Sequence, residues 1–387
     1  MINYLIVILE HNSVSFCYYD RSPNKESKLL SIKLLKNIVD YAVKNNITIN
    51  FLYGDTIVPP EYEQIINTIG HIKLIPLGLN RPYDNSVFII DAEKDAHRID
   101  SLENSDFNNI ILRISKEYLE SLSFLVKQLN GKFKRLNVIW KDVDNFERSS
   151  FSTYESQLED IRVLLKKEYR NGNFIEINIV TDRVFLTNMN NCNAGIEHLT
   201  IAPNGNFYLC PAFYYENEDN CLGHLEDKIE VKNGQLLELE YAPICRNCDA
   251  YHCKRCIYLN KKLTSEINTP SFQQCTLAHM ERNISRKFLN YVSAAFDGNE
   301  GISSIPKISC LDPFEIINNR SLNPENREKL FSKLLSKPLE NVPIKKLLGQ
   351  IYKIDPNILT QLKNINSKVV NLRKKKISAK STKQHDL

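Results

Sequence analysis

Cysteine is the residue type with the clearest chemical potential in this sequence. Eight of the ten cysteines fall between Cys192 and Cys275. The first element is Cys192, twelve residues, Gly205, four residues, then Cys210. The segment between the two thiols alternates apolar and polar residues around Asn204-Gly205, which predicts a β-hairpin with a type I′ turn. Such a turn folds the chain back and brings two distant thiols together. Pro211 stiffens the exit.

The second element is Cys245-Arg246-Asn247-Cys248, four residues, then Cys253-Lys254-Arg255-Cys256. Cys275 follows after eighteen more residues. Two residues between cysteines let both sulfurs face one centre, and doubling the unit makes coincidence improbable. Three chemistries use such a set. Disulfides belong to oxidising compartments. Structural zinc takes four thiolates from paired Cys-x-x-Cys units. Iron–sulfur clusters also take four each, at similar spacings. Spacing alone does not separate zinc from iron.

The remaining candidates are weaker. Cys17, in the apolar-aromatic segment Val14–Tyr19, reads as a buried strand thiol, and Cys310 as another packed thiol. Cys221 precedes Leu222-Gly223-His224 and is a candidate further ligand. His252 lies inside the cysteine run and reads as a group beside the ligands. His198, at the start of the hairpin, reads as structural. Lys254 and Arg255 would offset negative charge on a metal site. Phe213, Tyr214 and Tyr215 suit a peptide groove or the core. No Ser/His/Asp set, carboxylate pair or glycine-rich phosphate loop stands out, so the catalytic residues are unknown.

The elements that must position these cysteines follow from the pattern upstream. Apolar runs at Tyr4–Leu9, Val14–Tyr19, Ile47–Tyr53, Ile72–Pro76, Ser86–Ile90, Ile110–Ser115, Leu136–Trp140 and Ile175–Val180 predict strands. Leu29–Lys44, Pro59–Ile69, Lys116–Leu129 and Glu155–Tyr169 predict helices between them. The alternation implies an α/β fold with a parallel sheet, closer to an open or partial barrel than to a closed eight-fold one. Leu277–Ala295 predicts a helix after the cysteines. The segment from about Gly301 reads as a helical appendage. Its end, from Arg373-Lys374-Lys375-Lys376, reads as a disordered basic tail.

Net charge is +4, which gives no ground for a nucleic-acid partner. The apolar N-terminal run is short and lacks a preceding positive residue. It is read as a strand, neither signal peptide nor membrane span. A cytoplasmic location with reduced thiols is the expectation.

The cysteine pattern Cys192-x12-Gly205-x4-Cys210, the double Cys-x-x-Cys and distal Cys275 resembles the SPASM domain, the auxiliary-cluster module of radical S-adenosylmethionine enzymes that modify peptides. The spacing of Cys248, Cys253 and Cys256 is tighter than usual. Met1–Phe16, Phe51–Tyr62, Cys192-Asn193-Ala194-Gly195, Cys210-Pro211-Ala212-Phe213-Tyr214-Tyr215-Glu216-Asn217 and Tyr241-Ala242-Pro243 are similar to the CXXX repeat peptide maturases. The resemblance spans residues 1–295. It implies a radical-SAM-like α/β domain at 1–185, a SPASM-like domain at 186–298 and an extension at 299–387. It also implies one or two 4Fe–4S clusters, with zinc as the alternative. Cys192, Cys210 and Cys256 would serve the first, and Cys245, Cys248, Cys253 and Cys275 the second. The first set is one thiolate short. Cys221, a non-cysteine residue or an open iron position are the options.

Radical S-adenosylmethionine chemistry requires a Cys-x-x-x-Cys-x-x-Cys loop near the start of the α/β domain. The only cysteine before Cys192 is Cys17, so the chain is not a self-sufficient radical enzyme. Three functional expectations follow. The chain matures a cysteine-repeat precursor peptide, with clusters for electron transfer or substrate contact. Or it presents the precursor to a partner modification enzyme without catalysing. Or it is a zinc-stabilised binding module.

Overall fold

The computed structural model describes residues 2–20, 28–79, 85–99, 102, 108–227, 229, 231–295 and 305. The chain divides into two compact units, Met1–Pro306 and Lys307–Leu387. The second unit, with Cys310 and the basic tail, lies outside the described residues.

The first unit is a mixed α/β structure on one sheet. In chain order its elements are β1 (Tyr4–Ile8), α1 (Ile32–Lys44), β2 (Thr48–Leu52), α2 (Pro60–Ile66), β3 (His71–Pro76), β4 (Ser86–Asp91), α3 (Ala92–Ile99), β5 (Asn109–Ile114), α4 (Leu122–Leu129), β6 (Arg135–Trp140), α5 (Arg148–Arg170), β7 (Glu176–Ile177), α6 (Asn178–Phe185), β8 (His198–Ile201), β9 (Asn206–Tyr208), α7 (Pro211–Glu216), β10 (Gly223–His224), α8 (Ile257–Thr264) and α9 (Phe272–Ala295). The strand order is β10-β9-β8-β1-β2-β3-β4-β5-β6-β7. From β8 through β7 every pairing is parallel, and β9 and β10 add antiparallel at the β8 edge. Among the described residues the sheet is open, as the alternation of elements implied.

Side chains alternate across the sheet, and this sorts the core into two faces. Leu5, Val7 and Leu9 of β1 and its exit pack with Leu35, Ile38 and Ala42 of α1. Those helix residues recur at helical spacing, and Ser31 caps α1 by accepting from the Leu34 N–H at 3.2 Å. Ile6, Ile8, Leu52, Leu74, Ile89 and Ile111 face the other way. They pack with Cys210, Phe213 and Tyr214 of the cysteine-rich part. The cysteine module therefore covers the sheet face opposite α1.

Three expected elements differ. Val14–Tyr19 is loop rather than strand. β1 already has β2 and β8 on its two sides, and Arg113 takes the carbonyls of Cys17 and Tyr19 at 3.3 and 2.8 Å. The strand expected at Ile175–Val180 ends at Ile177, where α6 begins. The Asn178 side chain there bonds both the N–H and the carbonyl of Val138, at 2.8 and 3.1 Å, standing in for a strand neighbour. The hairpin turn is not type I′. Gly205 has φ +80° but Asn204 does not have positive φ, and Pro203 cannot adopt it. The Gly205 N–H donates to the Ala202 carbonyl at 2.9 Å, the pattern of a three-residue loop with glycine in the left-handed position.

Candidate metal centre

Three pieces of chain bring the cysteines together. The approach to β8 is laced to the Cys-x-x-Cys run: the Asn190 N–H donates to Tyr251 O at 2.7 Å and the Cys192 N–H to Lys254 O at 2.8 Å. The β8–β9 hairpin returns the chain to Cys210, which opens α7, with Pro211 in its first turn. Cys256 opens α8, its sulfur accepting from the Leu259 N–H at 3.5 Å. Cys210 and Cys256 thus cap two helices, and Cys192 lies in the loop that leads into β8.

The thiols fall into two groups by mutual electrostatics. Burial pushes the Cys210 thiol well up, and charge on Cys256, Cys17 and Cys192 pushes it further. Burial raises Cys256 strongly, with Cys192 and Cys17 adding to it. Burial also raises Cys192. The second group surrounds Cys253, pushed up to about 12 by burial and then by Cys245, with Cys248 contributing. Cys245 and Cys248 lie one short turn apart, the Cys248 N–H donating to Cys245 O at 3.0 Å. Cys221 stands apart and is exposed, between α7 and β10.

Cys275 is buried in the first turn of α9. The helix begins three residues before it, five residues earlier than the sequence pattern implied, with the Gln274 N–H donating to Ser271 Oγ at 3.2 Å. Cys275, His279 and Arg282 share one face of α9 at helical spacing. His279 Nε2 lies 3.4 Å from Cys248 Sγ. Arg282 donates to Asp249 Oδ1 at 3.0 Å, with both side chains largely buried. His252 pairs with Glu281 of the same helix at 3.0 Å. Sequence reading missed His279, Arg282 and Glu281, although their spacing after Cys275 was visible.

Arg255 is the most informative side chain in this region. It is 2% exposed, and Cys245, Cys253 and Cys192 favour its charge while burial opposes it. One guanidinium nitrogen reaches Leu237 O. Its Nε and Nη1 are buried with no hydrogen-bond partner among the described residues. Orphaned cationic donors between thiol groups suit an anionic group with sulfur acceptors. Among the described residues no three His, Cys, Asp or Glu side chains gather closely enough to hold a single ion. A cluster, unlike one ion, takes its thiolates at separate irons.

A second feature lies on the same face as Arg113. A cavity of about 770 Å³ opens at the C-terminal ends of β3 to β6, lined by Asp20, Asp91, Arg113 and Lys141. Asp91 takes hydrogen bonds from Lys141 at 3.1 Å and Arg113 at 3.4 Å. This is where ligands bind open α/β sheets. Among the described residues no helix is long and apolar enough to cross a membrane.

No protein-family model matches the chain, and no curated protein sequence does. Solved structures do. One is native anSMEcpe with bound AdoMet and Cp18Cys peptide, at 12% identity and TM-score 0.54, over 76% of this chain and 99% of the other. Hexahistidine-tagged anSMEcpe with bound AdoMet gives 13% identity and TM-score 0.53, over 76% and 100%. Streptococcus suis SuiB bound to S-adenosylmethionine is more distant, at 10% identity and TM-score 0.40, over 63% and 66%. The likeness to the anSMEcpe structures is one of fold. The chain shares with them a mixed α/β fold built on a parallel-strand sheet.

Proposed function

We propose that the chain is a peptide-maturation protein whose cysteine-rich part is a SPASM-like iron–sulfur domain, acting on a cysteine-repeat precursor of the CXXX type. In this reading residues 1–185 are the radical-SAM-like domain, 186–298 the cluster domain and 299–387 the extension. Cys192, Cys210 and Cys256 hold one cluster, and Cys245, Cys248, Cys253 and Cys275 another. The observation that carries the cluster part of this reading is buried Arg255, with two orphaned donors amid the thiols of both groups. The fold supports it, since a structure sharing that fold was solved with bound AdoMet and Cp18Cys peptide.

Bound clusters would supply one-electron transfer. The chain's own residues do the rest. Arg255 and Lys254 place positive charge against the thiolates, which favours their ionised, metal-binding form. His279 is positioned to hydrogen-bond Cys248, and such contacts to a ligand sulfur tune its donor strength. The chain lacks the Cys-x-x-x-Cys-x-x-Cys loop, so radical initiation falls to a partner enzyme or does not occur. The test is to titrate a synthetic cysteine-repeat peptide into anaerobically reconstituted protein and follow its visible and EPR spectra. Saturable perturbation is expected, and unchanged spectra with no binding would refute peptide maturation.

A further inference from the structure

We propose that Cys17 supplies the fourth thiolate of the first site, joining Cys192, Cys210 and Cys256 around one iron–sulfur cluster. The inference rests on the iron–sulfur reading above and completes the ligand set that the spacing motif leaves short.

The loop after β1 carries Cys17 onto the cysteine module. The His11 ring nitrogen Nδ1 lies 2.5 Å from the Tyr214 hydroxyl. The Tyr19 ring stacks on Tyr215 at 5.3 Å, with 15° between planes. Tyr214 and Tyr215 belong to α7, the helix that Cys210 opens. Between these clamps, the Val14 N–H donates to Tyr53 O at 2.8 Å, and Arg113 holds the Cys17 carbonyl. Cys17, Cys192 and Cys210 consequently pack in one cluster with Ile257, the residue after Cys256. The neighbouring Tyr18 packs in the cluster that contains Cys256.

Cys210 and Cys256 are buried, and Cys17 and Cys192 are half-buried. Four such thiols are the soft donors that iron–sulfur clusters take. Cys221 is exposed and is not part of that packing cluster.

Two consequences follow. The first site draws ligands from both the α/β part and the cysteine-rich part, so its assembly fastens the β1 loop to α7 and α8. Its four positions are all filled by protein, so a precursor thiol has no vacant iron there to bind. Substrate contact then falls to other surfaces of the chain.

The test compares wild type, Cys17→Ala, Cys17→Ser and Cys221→Ala, reconstituted anaerobically and purified as folded protein. Iron, acid-labile sulfide, EPR and Mössbauer spectra are read on each. Wild type is expected to hold about eight irons per chain, from two four-iron clusters. Cys17→Ala should lose about half of this iron or convert one cluster to a three-iron species. Cys17→Ser keeps the size of the side chain and should shift one cluster's Mössbauer signature through its oxygen. Cys221→Ala should match wild type. Iron-loaded wild type with both Cys17 variants unchanged overturns this inference alone, as does loss confined to Cys221→Ala. Wild type that takes up no iron overturns the iron–sulfur reading itself. If Cys17→Ala does not fold, Cys17→Ser decides.

Discussion

Acidification should loosen the junction between the sheet and the cysteine module, through His198. This residue opens β8 opposite Tyr4 of β1 and stacks on its ring at 4.9 Å. It is 3% exposed, and its Nδ1 has no hydrogen-bond partner among the described residues. Burial lowers its pKa to about 4, against about 6.5 in an unfolded chain. Between those two values the unfolded chain binds a proton that the folded chain refuses, so stability falls as pH falls. Integrated over the whole window the loss is about 3 kcal/mol, of which about 2 kcal/mol has accrued by pH 5. Replacing His198 with Phe keeps a ring against Tyr4 and removes the titration. Urea unfolding of wild type and His198→Phe at pH 7 and pH 5 gives four stabilities. The acid loss should be about 2 kcal/mol larger in wild type. Equal losses in the two proteins would show that His198 is not held neutral by the fold, and the reasoning would fail.

Two further perturbations probe the cysteine module directly. Asp249→Ala removes one buried carboxylate that pairs with the Arg282 guanidinium, and should lower stability by about 3 kcal/mol. Denaturant melts measure this, and iron content of the variant should fall with it. Gly195→Ala puts a side chain at φ +82°, where its Cβ would meet Leu237 and Leu209 within 2.7 Å. The expected cost is about 2 kcal/mol, read as a lower thermal midpoint.

Most of the α/β framework was legible because long amphipathic helices and apolar strand runs carry a clear period. α1 and α5 declare themselves this way, as do β1 and β2. Short elements were not legible. Ile175–Val180 reads as one apolar run, yet Asn178 turns it into a helix by bonding Val138, a partner forty residues away. Val14–Tyr19 has strand composition, but both edges of β1 are already taken. The hairpin was visible through Asn204-Gly205, while its turn type was decided by Pro203.

The candidate site shows the same division. Local spacing announced Cys245, Cys248, Cys253 and Cys256 as candidate ligands, but not that Cys256 sides with Cys192 and Cys210 while Cys253 stays with its sequence neighbours Cys245 and Cys248. It could not announce Cys17, which six strands separate from Cys192 along the chain. Nor could it show that Cys221 faces outward. Arg255 was expected to carry charge near the thiols, but its burial with unpaired donors required the fold.

The central claim is that the gathered thiols of this chain hold iron–sulfur clusters. Iron, sulfide and zinc should be quantified per chain on protein purified without oxygen, with its visible spectrum recorded alongside. Iron and sulfide in equal amounts, about eight of each, with broad visible absorbance, are predicted. Stoichiometric zinc with no sulfide and no visible absorbance would contradict it.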